Sequence, residues 1–280
     1  MLHIIEHTLV DTIKILPFLF VAYLIIELIE KKAGDKTTKI IKKSGKFGPV
    51  LGGLLGIFPQ CGFSAAASNL YAGKVITMGT LIAIFLSTSD EMLPILISEA
   101  VSPNIIIKLL GVKLLIAIII GVIVDLIFKQ KQNDSKEEIH KLCHEHHCHC
   151  EEEGILKSTI KHTLQILVYI FIVTLILNTI IHFIGEENIA NLILNIPILG
   201  PVISAIIGLI PNCASSVILT ELYLENIISF GSIIAGLLVN SGIGILILFK
   251  VNKEKKENLK ILGILYAVAI ISGIILDLIM

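Results

Sequence analysis

With 280 residues, 55% of them hydrophobic, and a mean hydropathy of +0.90, the chain is too apolar for a soluble domain, so lipid is the solvent in which it is read. All 22 basic residues are lysine, tryptophan is absent, and the formal net charge of −1 singles out no partner. The partners expected are the bilayer and metal ions; no nucleic-acid partner is expected, and self-association stays open.

The first residues, Met-Leu-His-Ile-Ile-Glu-His, lack the basic region and small-residue cleavage site of a secretory signal, so the first apolar segment, near 8–29, is expected to stay as a helix. Ile15–Ile26, Leu109–Ile127, Gln165–Ile181 and Ile261–Ile279 approach or exceed the roughly 20 residues that cross a hydrocarbon core. Glu27 and Glu30 read as acids at a helix end. The segment Lys31–Lys46 follows with seven lysines against one acid, which marks a cytoplasmic loop.

Residues 47–101 are too few for three full spans, and one span plus one re-entrant hairpin fits them. The hairpin is placed at 48–72, where Gly52, Gly53 and Gly56 allow close packing and Pro59-Gln60-Cys61-Gly62 interrupts the helix. Asp90 and Glu91 follow in mid-span, and a helix near 106–128 carries Lys113 and ends at Asp125. Lys74 and Lys113 are expected to snorkel to an interface, and Asp125, like Asp277 in the second half, to be solvated at its helix end.

The second half repeats the first. Phe47–Leu96 aligns without gaps on Leu199–Leu248 at a constant offset (211 − 59 = 152), pairing Gly48/Gly200, Pro49/Pro201, Pro59/Pro211, Cys61/Cys213, Ser64/Ser216, Tyr71/Tyr223 and Gly79/Gly231. The register continues through Lys108/Lys260, Gly121/Gly273 and Asp125/Asp277. The second hairpin is therefore 200–224, broken at Pro211-Asn212-Cys213-Ala214. Lys250–Lys260 holds five lysines against two acids and belongs inside, whereas Ser98–Ile107 and Gly185–Leu199 carry acids without lysine before their final residues and belong outside. Corresponding loops thus fall on opposite sides, the mark of an inverted repeat.

The expected fold is an all-α membrane protein of two inverted-topology repeats, each with three spanning helices and one re-entrant broken hairpin, ten helical pieces in total. Its parts are a first membrane repeat at 1–128, a cytoplasmic His/Cys-rich linker at 129–161 and a second repeat at 162–280. It is expected in the cell (inner) membrane with both termini outside.

Three constellations carry chemistry. Gln60, Cys61 and Ser64 in one hairpin and Asn212, Cys213, Ser215 and Ser216 in the other are expected to meet near the midplane, although a buried cysteine is also a common packing residue. Acids and amides form the second: Asp90, Glu91 and Glu221, with Asn69 opposite Glu221 in the repeat and Asn240 in the stretch matching Asp90. Such a mixed oxygen-donor set suits a divalent cation. The third is the linker run His140, Cys143, His144, His146, His147, Cys148, His149 and Cys150, eight His or Cys among eleven residues, followed by Glu151, Glu152 and Glu153. Imidazole and thiolate are ligands of zinc and other transition metals, so this loop is expected to bind one. With three of the five cysteines here and two in apolar segments, no disulfide framework is expected.

At Gly-Pro-Val…Pro-Gln-Cys-Gly-Phe-Ser, its echo Gly-Pro-Val…Pro-Asn-Cys-Ala-Ser-Ser, and Ser87-Thr-Ser-Asp-Glu-Met-Leu-Pro94, the chain resembles the ten-helix (10TM) heavy-metal exporter family. Members of that family are variously labelled arsenic efflux proteins or manganese transporters. The resemblance covers essentially the whole chain and implies metal export without a resident cofactor. Together these readings lead to the expectation of a secondary transporter for a divalent metal cation, manganese first, working by alternating access about the hairpins. The alternatives are thiol-dependent export of arsenite or another heavy metal, and an intramembrane enzyme acting on lipid phosphates. The absence of arginine and of hairpin histidines counts against the enzyme.

Overall fold

Proline, glycine and hydroxyl residues decide where the apolar helices of this chain stop, and the elements follow from those stops. A computed structural model describes residues 47–57, 61–89, 92–128, 199–211 and 213–279, with separate helical positions within 8–24 and 156–179. Every regular element among the described residues is an α-helix.

In the first half these are α1 (Gly48–Gly56), α2 (Cys61–Ala72), α3 (Met78–Ser87), α4 (Met92–Ser98) and α5 (Pro103–Ile127); in the second, α6 (Leu199–Gly208), α7 (Cys213–Leu224), α8 (Phe230–Val239), α9 (Gly244–Val251) and α10 (Lys255–Ile279). Helices stop at Gly56 and Gly208 and restart at Cys61 and Cys213, on either side of the two Pro-polar-Cys segments. A second interruption in each half was not legible as such. The segments read as uninterrupted middle spans divide between Ser87 and Met92 and between Val239 and Gly244. In the second half this break turns through Gly242 at φ 53°, a left-handed position that suits glycine, and the Asn240 side chain accepts from the Gly242 amide at 2.9 Å.

By length and composition, Met78–Ser98, Pro103–Ile127, Phe230–Val251 and Lys255–Ile279 each suffice to cross a membrane. Their surroundings differ. All residues of α3 and α8 are buried, so these two form the middle of the structure. On α5 the buried side is Leu109, Lys113, Ala117, Gly121 and Val124, at helical spacing, while Leu115, Ile119, Ile123 and Leu126 form an exposed apolar stripe. The outer helix α10 repeats the pattern, with Ile261, Leu265, Ala269 and Gly273 inward and Ile271, Ile275 and Leu278 outward.

Small residues bring the backbones together, as in membrane helix packing generally. α3 packs directly on α5 and α8 on α10, and α1 and α6 each pack against both helices of the pair in their half. A Cβ on Gly79 would stand 2.1 Å from the Gly121 carbonyl oxygen, and one on Gly231 2.2 Å from that of Gly273. The halves interlock through α2, which packs on α9, and through α7, which packs on α4. Ser68 Oγ fastens the first of these contacts by donating to the Gly244 carbonyl at 2.7 Å.

Candidate functional site

The buried polar groups gather where helices are broken. Breaks leave backbone carbonyls without helical amides, and hydroxyl or amide side chains close to such ends relieve the cost of burying them. In the first half Ser89, just past the end of α3, donates to the Ile57 carbonyl at 2.5 Å and so ties the α3 break to the end of α1. In the second half Asn240 Nδ2 donates to Ser215 Oγ at 3.3 Å, and Ser215 donates to the Ile210 carbonyl at 3.2 Å. Each half therefore joins its two interruptions to each other through side chains. Ser64, Ser68, Ser87, Thr88, Ser89, Ser215, Ser216, Asn240 and Ser241 are all buried. The two clusters meet along α9: a Cβ on Gly244 would lie 2.7 Å from Ser64 Cβ, and the Gly244 amide donates to Ser241 at 3.1 Å.

Of the residues singled out in the sequence, Ser64, Ser215, Ser216 and Asn240 belong to this buried set. Asn69 is also buried, with its amide donating to the Ala65 carbonyl one turn back at 3.0 Å. Glu221, its counterpart in the repeat, stands exposed on α7. Cys61 and Cys213 are the first residues of α2 and α7, and their side chains lie outside what the structure describes. Gln60, Asp90, Glu91 and Asn212 lie outside the described residues, as does the whole linker run from His140 to Cys150. Among the described residues, no three His, Cys, Asp or Glu side chains group closely enough to hold a metal ion.

Two expectations are corrected. Lys113 does not snorkel. It stands on the inward stripe of α5, about 15 Å from the start of that helix, too far for a lysine side chain to reach an end. It is 1% exposed; its ammonium donates to the Thr88 carbonyl and, at 3.0 Å, to the Leu237 carbonyl. Nor are Asp125 and Asp277 merely solvated helix ends. Asp125 accepts from Thr77 Oγ1 at 2.7 Å and from the Gly79 amide at 2.8 Å; Asp277 accepts from Ser229 Oγ at 2.8 Å and from the Gly231 amide at 2.7 Å. Thr77 and Ser229 are also the N-caps of α3 and α8, accepting from the Thr80 and Ser232 amides. Each aspartate thus completes, from a neighbouring helix, the cap of the innermost helix of its half.

These contacts fix directions. The start of α3 is held at Asp125, near the end of α5, whereas the start of α8 lies beside Lys108, near the beginning of α5, with the Lys108 ammonium 4.6 Å from the centre of the Phe230 ring. Those two points are roughly 25 Å apart along α5. α3 and α8 therefore enter from opposite ends and bring their carboxyl ends together at Lys113.

The pattern of long apolar helices with buried, oxygen-lined breaks is that of a multi-pass membrane protein with a polar centre. No curated protein and no solved structure matches the chain. One family does, over residues 3–186 and again over 151–280, and its description reads "Putative, 10TM heavy-metal exporter". Since the two matches span almost the entire sequence, the chain belongs to this family of heavy-metal exporters.

Proposed function

We propose that the chain is a secondary transporter that exports a divalent metal cation, manganese first, by alternating access about two re-entrant hairpins in inverted repeats. The observation that carries this reading is the pair of buried clusters at the helix breaks. They offer hydroxyl, amide and backbone-carbonyl oxygens, the donors that hard or borderline divalent ions take. The opposed entry of α3 and α8 supports the inversion, because inverted repeats relate equivalent helices in this way. Gln60, Cys61, Asn212 and Cys213 flank these clusters in sequence, and Asp90 and Glu91 follow Ser89 directly, so the acids are proposed as cargo ligands or proton carriers. The linker's His and Cys residues are proposed to capture zinc or another transition metal on the cytoplasmic side.

Uptake of manganese into inverted membrane vesicles, with and without a proton gradient, tests the reading. Accumulation above that of vesicles lacking the protein is expected, and its loss in Asp90→Asn. Absence of uptake for manganese, zinc and iron alike would remove the cation assignment. Arsenite uptake abolished by Cys61→Ser with Cys213→Ser would replace it with thiol chemistry.

A further inference from the structure

The carboxyl end of an α-helix carries a residual charge of roughly −0.5, because the carbonyls of its last turn have no helical amide to meet. Thr88 is the C-cap of α3, and Leu237 lies in the last turn of α8. Lys113 Nζ donates to the carbonyl of each, so it joins two such ends, one from each half. Together these ends amount to about one negative charge, which an ammonium placed between them offsets. The surroundings allow little help from solvent: Leu86, Leu109 and Leu238 are 0% exposed. Buried away from water, two opposed carboxyl ends would repel each other across a medium of low dielectric constant, and a cation between them removes that repulsion.

The repeat sharpens the point. α3 and α8 are equivalent elements, yet α5 carries Lys113 where α10 carries Leu265, itself 0% exposed. The two equivalent ends therefore share one cation, supplied by the first half. In transporters of inverted design, unwound carbonyls and half-helix carboxyl ends hold the monovalent coupling ion.

We propose that Lys113 is the resident occupant of a monovalent-cation site formed by the carboxyl ends of α3 and α8. Its side chain carries the charge that a soluble sodium, potassium or ammonium ion supplies elsewhere. The native protein then needs no such ion at this point, and removing the lysine opens the site to one. Its readout is the stability of the protein, so it stands apart from the choice of cargo.

The test is thermal unfolding of the purified full chain in detergent, with ammonium, potassium or sodium chloride replacing choline chloride at constant ionic strength. The native protein is expected to melt at one temperature in all four salts. Lys113→Ala is expected to melt about 5 °C lower in choline, and to recover saturably with ammonium or an alkali cation. Lys113→Met, which fills the volume without charge, is expected not to respond. An Ala variant indifferent to every small cation overturns the proposal, as does a saturable response of equal size in the native protein or in Lys113→Met, which would place the responding site elsewhere. If Lys113→Ala yields folded protein only when prepared in ammonium, the proposal is supported. If it yields none in ammonium or in choline, the proposal fails.

Discussion

Asp125 and Asp277 show how an acidic residue in a membrane protein is kept by backbone amides, with no basic partner among the described residues. Each carboxylate meets one hydroxyl and one first-turn amide of the innermost helix of its half, where the helix amino end favours negative charge. Replacing either by alanine takes the acceptor from that amide and leaves the hydroxyl only its neighbour Thr80 Oγ1 or Ser232 Oγ, at about 1–2 kcal/mol. The two sites share no hydrogen-bond partner, so the double variant is expected to lose the sum of the single losses to within about 0.5 kcal/mol. Denaturant unfolding in detergent measures this. A single variant as stable as the native protein would show that the cap on α3 or α8 does not need its aspartate.

Between helices, the decisive quantity is how closely two backbones approach. Gly79 and Gly231 sit where a Cβ would collide with the carbonyl of Gly121 or Gly273 and with the very aspartate that caps the helix. The nearest atoms there include backbone that cannot swing aside, so Gly79→Ala and Gly231→Ala are each expected to cost about 1–3 kcal/mol. Gly111 and Gly263 occupy equivalent places on α5 and α10, yet a Cβ there meets nothing within 4 Å among the described residues. With alanine the better helix former, Gly111→Ala and Gly263→Ala are expected to be neutral or to stabilise by up to about 1 kcal/mol. The four variants, compared by melting temperature in one detergent, separate the readings: equal effects at all four positions would mean that close packing is not what the glycines serve.

For the whole molecule, the linker and the membrane repeats are expected to separate experimentally. The His/Cys run from Cys143 to Cys150 lies between the halves and has no counterpart within either repeat. Its removal is therefore expected to raise the metal concentration for half-maximal transport more than it lowers the maximal rate. Vesicle uptake over a range of manganese concentrations reads both quantities. Complete loss of transport in a folded deletion would place the run in the transport step itself.

Much of this architecture is written in the chain. Periodicity and apolar length predict membrane helices, and Pro59 and Pro211 mark the stops beside which helices end at Gly56 and Gly208 and restart at Cys61 and Cys213. Those features are local, since a proline removes an amide wherever it stands and lipid demands an apolar run of fixed length. The one-register echo of Gly, Pro, Cys and Asp likewise needed no coordinates. What the sequence could not decide was partnership across long separations. A lysine in an apolar run and an aspartate at a helix end look the same whether they meet water or a distant helix. Lys113 reaches Leu237, 124 residues away, and Asp277 reaches Gly231, 46 residues away, only because packing sets these helices side by side. One clue to Lys113 was present all the same: its place in the repeat is taken by Leu265, and a charge with an apolar counterpart marks a point where two otherwise equivalent halves differ. Which carbonyls that charge would meet was settled by the opposed entry of α3 and α8, a property of the folded chain alone.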